Sequence, residues 1–98
     1  MSDLPEIKRE DNGSKGRFFM RLDTGEEAEM TYTYVGDTQV IIDHTGVPDA
    51  FRGRGAGVAL VSRAVEEFRA AGRKVIPLCP FAAAQFRRHP EWADVLKG

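Results

Sequence analysis

Alternating apolar and polar positions dominate the first half of the chain and predict antiparallel strands. Residues 17–22 and 27–34 each place their apolar side chains on one face, and a turn sequence at 23–26 lies between them. The apolar positions are Phe18, Met20, Leu22, Ala28, Met30, Tyr32 and Tyr34. This period of two is typical of half-buried strands joined in a hairpin. A further edge strand is predicted at residues 6–10, followed by a loop at 11–16.

The second half of the chain changes to a helical period. Residues 39–44 are apolar on both faces and predict a central strand, whereas residues 58–71 carry one apolar stripe and predict a helix that Gly72 ends. A strand at 74–78, a short helix at 81–88 and a last helical turn at 91–96 follow. A helix between two strands favours a right-handed parallel βαβ unit. We therefore predict an α/β fold with a mixed, mainly antiparallel sheet, not a doubly wound parallel one.

Composition narrows the function classes. The chain of 98 residues predicts one domain spanning 1–98, with residues 1–16 as an N-terminal edge strand and loop. A net charge of −1 argues against a nucleic-acid binder, and the single cysteine excludes an internal disulfide. No apolar run reaches membrane-spanning length and the N-terminus lacks a signal-peptide pattern, so we expect a cytoplasmic protein that does not bind a membrane. No His/Cys spacing suits a metal site.

The most informative segment is the glycine loop, Arg52-Gly53-Arg54-Gly55-Ala56-Gly57, which lies between the central strand and the long helix. Glycines let the backbone approach a ligand closely, and the helix that follows supplies unpaired N–H groups and a positive dipole end. These features predict a site for phosphate or pyrophosphate. No Gly-Lys-Ser/Thr follows, and no acidic residue closes the next strand, so the P-loop and dinucleotide motifs are excluded.

The pattern Arg52-x-x-Gly55-x-Gly57 resembles the acetyl-CoA motif of the GNAT superfamily of N-acetyltransferases. Three further segments resemble a short single-domain branch of that superfamily, and together the similarity covers roughly residues 17–96. They are His44-Thr45-Gly46-Val47-Pro48, Pro77-Leu78-Cys79-Pro80-Phe81 and Arg88-His89-Pro90-Glu91-Trp92.

The resemblance implies acetyl-CoA as cofactor, bound in a V-shaped cleft where two parallel strands separate. The pantetheine arm would pair with backbone near Val47, and the pyrophosphate would lie on the amides between Gly53 and Val58. Arg52 and Arg54 are candidates for charge-assisted bonds to phosphate, with a solvated loop as the alternative. The expected cofactor-binding residues are Val47, Arg52, Gly53, Arg54, Gly55, Ala56, Gly57 and Val58.

Cys79 and His44 are the candidate catalytic residues. Cys79 is predicted at the end of a strand beside a helix N-terminus, where a thiol can ionise readily, or else it is a small buried hydrophobe. In the short branch this cysteine is the suspected reactive residue. His44 is either a base for the acceptor amine or a side chain that holds the following turn. The tyrosine acid common in larger GNAT enzymes is missing, because no tyrosine follows Tyr34.

The sequence thus predicts an acetyl-CoA-dependent N-acetyltransferase acting on an amine of a small molecule or on a protein lysine. A non-catalytic acyl-CoA-binding or sensing module is the alternative. We expect a monomer or a weak dimer.

Overall fold

A computed structural model describes residues 4–51 and 53–97. Its five strands form one sheet in the order β1-β2-β3-β4-β5. The strands are β1 Lys8–Asp11, β2 Lys15–Arg21, β3 Glu27–Val35, β4 Gln39–Gly46 and β5 Lys74–Pro77; the helices are α1 Ala56–Ala70 and α2 Pro80–Arg88. Short 3₁₀ turns occupy Asp49–Phe51 and Pro90–Trp92. Strands β1 to β4 pair antiparallel, whereas β4 and β5 pair parallel around α1. The predicted mixed sheet with its βαβ unit is confirmed.

Several predicted boundaries were wrong. The edge strand covers Lys8–Asp11 instead of residues 6–10, and β2 begins inside the predicted loop. Helix α1 begins at Ala56, two residues early, because Gly55 adopts a left-handed conformation (φ 76°) that reverses the chain before it. Gly57 is therefore a helical residue. The predicted helical turn at 91–96 is instead the 3₁₀ turn, after which Leu96 forms a bridge to Val75.

Both helices cover the same face of the sheet. The side chains between them and the sheet form one core, in which every strand except β1 places fully buried residues. These strand residues are Phe18, Met20, Ala28, Met30, Tyr32, Val40, Ile42 and Val75, and α1 adds Leu60, Val61, Ala64, Val65 and Phe68. Each large apolar side chain buried in this way contributes about 1.5–3 kcal/mol. None of the described helices covers the opposite face, which we call the open face.

The end of α1 follows its sequence signal. Gly72 adopts φ 72°, and its N–H donates to the Arg69 carbonyl at 3.1 Å. The next amide, of Arg73, donates to the Phe68 carbonyl at 2.9 Å. This pair of bonds is the Schellman motif, so the predicted stop at Gly72 is confirmed.

In the part of the chain that the structure describes, neither helix is long and apolar enough to cross a membrane.

A polar network attaches the edge strand β1 to the rest of the fold. Arg9 Nε donates to Tyr32 Oη and Arg9 Nη1 to Glu67 Oε1, both at 2.8 Å. The Tyr32 hydroxyl donates to Asp11 Oδ2 at 2.7 Å, and the Tyr34 hydroxyl donates to the same oxygen. Burial alone would raise the pKa of Asp11, but these hydroxyls, a backbone amide and Arg9 together lower it to about 2. The network therefore favours the ionised carboxylate.

Candidate active site

A cleft opens where the parallel strands β4 and β5 separate. The two strands pair from Gln39 opposite Lys74 to Ile42 opposite Pro77. At that point Pro77 ends β5, and the Ile42 carbonyl accepts the N–H groups of both Leu78 and Cys79, each at 3.2 Å. Beyond Ile42, β4 runs on to Gly46, pairing with β3 but with no other described strand. Beyond Ile42, the edge of β4 that faces away from β3 thus has backbone groups with which an extended ligand can form hydrogen bonds.

The cleft has a volume of about 390 Å³, within the range of small-molecule sites. Six of the eight residues predicted to bind cofactor line it: Val47, Gly53, Gly55, Ala56, Gly57 and Val58. Arg54 does not line it; its guanidinium lies over the Phe51 ring, 5.5 Å from the ring centre, and the residue lines a separate groove instead. Arg52 lies outside the described residues. Thr45, Phe51 and Phe81 complete the lining, and the residue-level predictions did not include them.

The glycine loop and the first turn of α1 form one wall of this cleft. Gly53 and Gly55 both adopt positive φ (78° and 76°), which only glycine adopts without strain. No side chain caps the N-terminus of α1, and its first turn holds no acidic residue. The first amides of a helix have no partner within it, so they remain directed at the cleft end of α1. This wall suits an anion such as a pyrophosphate.

Gly57 and Phe81 are in close contact across the mouth of the cleft. A Cβ placed on Gly57 would lie only 2.7 Å from Cζ of Phe81. Phe81 belongs to α2, and 37% of its surface is exposed although it is a large aromatic residue. The glycine is therefore needed for packing against a neighbouring helix, in addition to its place in the loop motif.

Cys79 lies at the apex of the cleft, by which we mean the point where β4 and β5 separate, but it is not among the residues that line the cleft volume. It was predicted to end the strand, but β5 ends at Pro77 and Cys79 is the N-cap residue of α2. The residue is only 5% exposed, and its Sγ lies 3.5 Å from Oγ1 of Thr45. Burial raises the pKa of this thiol, but the Thr45 hydroxyl and the N–H groups of Ala82 and Phe81 outweigh burial, so the pKa is lowered overall. The groups around Cys79 therefore favour the ionised form of its thiol, although the residue is buried.

His44 does not share a face with Cys79. Between Tyr32 and Thr31 the register of β3 and β4 shifts, so that Tyr32 faces Ile42 but Thr31 faces His44. Asp43 is the extra residue of this bulge, and its Oδ2 accepts a hydrogen bond from Thr33 Oγ1 at 2.8 Å. His44 lies exposed on the open face, whereas Cys79 is buried on the helix side. The two candidates therefore flank the apex from opposite sides and cannot form a Cys–His pair.

Other proteins are similar to this chain in sequence, and one solved structure is also similar in fold. The sequence model described as "GCN5-related N-acetyl-transferase" matches residues 17–95. Protein NATD1 of Xenopus tropicalis is 37% identical over 67 residues, and human Protein NATD1 is 38% identical over 61 residues. These matches span less than two thirds of the relatives' own lengths, 62% and 54%. A GCN5-like protein of Staphylococcus aureus, solved in solution by NMR, superposes with a TM-score of 0.76 at 35% identity, covering 100% of this chain and 92% of its own.

Proposed function

Because the chain belongs to the GCN5-related N-acetyltransferase family, we propose that it transfers an acetyl group from acetyl-CoA to an amine of a small molecule or to a protein lysine. The observation that carries this proposal is the cleft between β4 and β5, with a candidate base on one side of its apex and a thiol on the other. Substrate amines and a thioester would meet at this apex.

Features of the cleft support binding of two parts of acetyl-CoA, the pyrophosphate and the pantetheine arm. The uncapped first turn of α1 and the glycines before it suit the pyrophosphate. The free edge of β4 near Val47 suits the amides of the pantetheine arm. Val47, Val58 and Phe81 offer apolar surface beside that path, being 37–38% exposed. When bound, acetyl-CoA supplies a thioester whose carbonyl carbon is open to attack by a nucleophile.

We assign the base function to His44 on the open face. A neutral imidazole can remove the proton of an amine directly or through one water molecule. The open face also carries a groove of about 710 Å³ that includes Thr31, Thr33 and Asp43 in its lining. His44 does not line this groove, but its cross-strand partner Thr31 does, which supports approach of the acceptor from the side opposite to Cys79.

Cys79 acts from the helix side of the apex. Its lowered pKa favours the thiolate, which can attack the acetyl carbon, forming a bond to Sγ as the bond to the CoA sulfur breaks. The acceptor amine then attacks the same carbon, loses its proton to His44 and releases the Cys79 thiolate. In the alternative single-step route, Cys79 returns a proton to the departing CoA sulfur. In this single-step role Cys79 replaces the tyrosine acid that the chain lacks after Tyr34.

The test is acceptor-dependent release of CoA, measured with a panel of amines and lysine peptides for the wild type and for Cys79→Ala. We expect release with at least one acceptor and a large loss in the variant. When the acceptor is withheld, an added acetyl group on Cys79 by mass spectrometry indicates the two-step route, and its absence indicates the single-step route. Tight acetyl-CoA binding without release for any acceptor would refute the transferase proposal and indicate an acyl-CoA-binding module.

A further inference from the structure

The contact between Cys79 and Thr45 joins two separate elements at the apex of the cleft. Thr45 lies near the end of β4, and Cys79 begins α2, 34 residues later. Their side chains meet with 3.5 Å between Sγ and Oγ1. Cys79 is almost fully buried, so few groups can contact its sulfur from solvent.

The β-bulge at Asp43 causes Thr45, and not His44, to face the Cys79 thiol. Ile42 faces the helices opposite Tyr32, and a regular strand would place His44 on that same face two residues later. The extra residue, Asp43, shifts the alternation so that Thr45 lies opposite the fully buried Met30. Cross-strand partners share a face, so Thr45 is directed toward the helix side. Bulges commonly re-aim a side chain in this way beside functional sites.

A threonine hydroxyl is a partner for both forms of a thiol. It accepts a hydrogen bond from S–H in the neutral form and, after rotation, donates its own O–H to the sulfur in the ionised form. The N–H groups of Phe81 and Ala82 at the start of α2 favour the ionised form as well. No charged residue lies in the first six residues of α2, Lys74 is at the other end of β5, and Asp43 and His44 lie on the open face. Among the residues that the structure describes, burial and hydrogen-bonding groups, and not neighbouring charges, therefore set the pKa of the Cys79 thiol.

We propose that Thr45 is the positioning residue of Cys79, whose hydroxyl holds Sγ at the apex and stabilises the thiolate. The catalytic meaning of this contact rests on the proposed transferase function, but the ionisation of Cys79 can be measured without any acceptor. The two proposals can therefore fail separately.

The experiment is a pH titration of thiolate absorbance near 240 nm. Cys79 is the only cysteine of the chain, so the signal reports one residue, and Cys79→Ala supplies the tyrosine and backbone baseline. The wild type, Thr45→Val and Thr45→Ser are titrated as the full chain. We expect the Val variant to titrate about one pH unit higher, which is about tenfold less thiolate at a fixed pH, and the Ser variant to stay close to the wild type.

Two results would overturn the proposal. An unchanged midpoint in Thr45→Val would show that the hydroxyl does not act on the thiol. Equal increases in the Val and Ser variants would show that packing around Thr45, and not its hydroxyl, sets the ionisation. Thr45→Ala is titrated as well, so that the result does not depend on how one side chain packs. A normal titration series without acceptor-dependent CoA release would refute the transferase proposal and leave this one standing.

Discussion

Replacement of Gly57 by alanine separates the binding role of the cleft from the stability of the fold. The added methyl group would lie 2.7 Å from Cζ and 2.9 Å from Cε2 of Phe81, well inside van der Waals contact. Both residues line the cleft, so the methyl group and the displaced ring occupy space that a bound cofactor needs.

Two opposing effects should keep the change in the free energy of unfolding of Gly57→Ala small. Alanine is favoured over glycine inside a helix by up to about 1 kcal/mol, and less in the first turn. Moving an aromatic side chain away from its preferred rotamer costs about 0.5–1.5 kcal/mol, and the Phe81 ring is free to move because it is partly exposed. We therefore expect the free energy of unfolding to change by less than about 1 kcal/mol. Binding has no such compensation, and we expect acetyl-CoA affinity to fall at least tenfold, or about 1.4 kcal/mol.

The assay combines isothermal titration of acetyl-CoA with urea unfolding, and Gly72→Ala is the matched control. Gly72 has φ 72°, and a Cβ added there would meet no atom within 4 Å, so alanine strains the backbone without a clash. It lies at the far end of α1 from the cleft. We expect the control to lose about 1 kcal/mol or more of stability, with a melting temperature about 4–8 °C lower, and to bind acetyl-CoA normally.

Two results would contradict this expected separation of acetyl-CoA affinity from stability. If Gly57→Ala binds acetyl-CoA like the wild type while keeping its fold, the cofactor does not lie along the first turn of α1. If both variants lose affinity in proportion to their loss of stability, the effect is general destabilisation and the cleft assignment gains no support.

Two further substitutions test the polar network and the base. Asp11→Asn should lower the free energy of unfolding at pH 7 by at most about 2 kcal/mol, measured by urea titration. Because the pKa of Asp11 in the folded state, about 2, is below its ordinary value, the two proteins should differ above about pH 5. The difference should disappear as the pH falls toward 2. A difference independent of pH would contradict an ionic role for Asp11. His44→Ala should lower the acceptor-dependent rate about 100-fold or more at saturating acetyl-CoA, with acetyl-CoA affinity unchanged by calorimetry; an unchanged rate would remove His44 from the mechanism.

Local periodicity predicted most of the fold. Each amphipathic pattern identifies one buried face, as in β2, β3 and α1. The right-handed βαβ connection then leaves few possible arrangements of β4 and β5. The glycine loop indicated one wall of the cleft for a similar reason, since its signal lies within a few consecutive residues. The boundaries were less accurate because they depend on single backbone conformations, such as the left-handed Gly55 that starts α1 early.

The positions of His44, Thr45 and Cys79 depend on a β-bulge and on contacts between separate elements, which produce no periodic pattern in the sequence. One extra residue in β4 moves His44 to the open face and Thr45 toward Cys79, and alternation alone predicts the reverse. The contact of Phe81 with Gly57 joins two helices, so it cannot be read from either segment alone. Thr45 and Phe81 did occur within the segments that resemble the short branch, which was the available signal for both residues.

The most direct test of the central claim is an NMR titration of ¹⁵N-labelled protein with acetyl-CoA, read on its glycine amides. Glycine amides occupy a separate region of the spectrum, and the chain places them both in the cleft and in distant turns. We predict large shifts for Gly53, Gly55 and Gly57, and none for Gly13, Gly25 and Gly36. Shifts confined to the distant turns, or no shifts at millimolar acetyl-CoA, would contradict a cofactor site in this cleft.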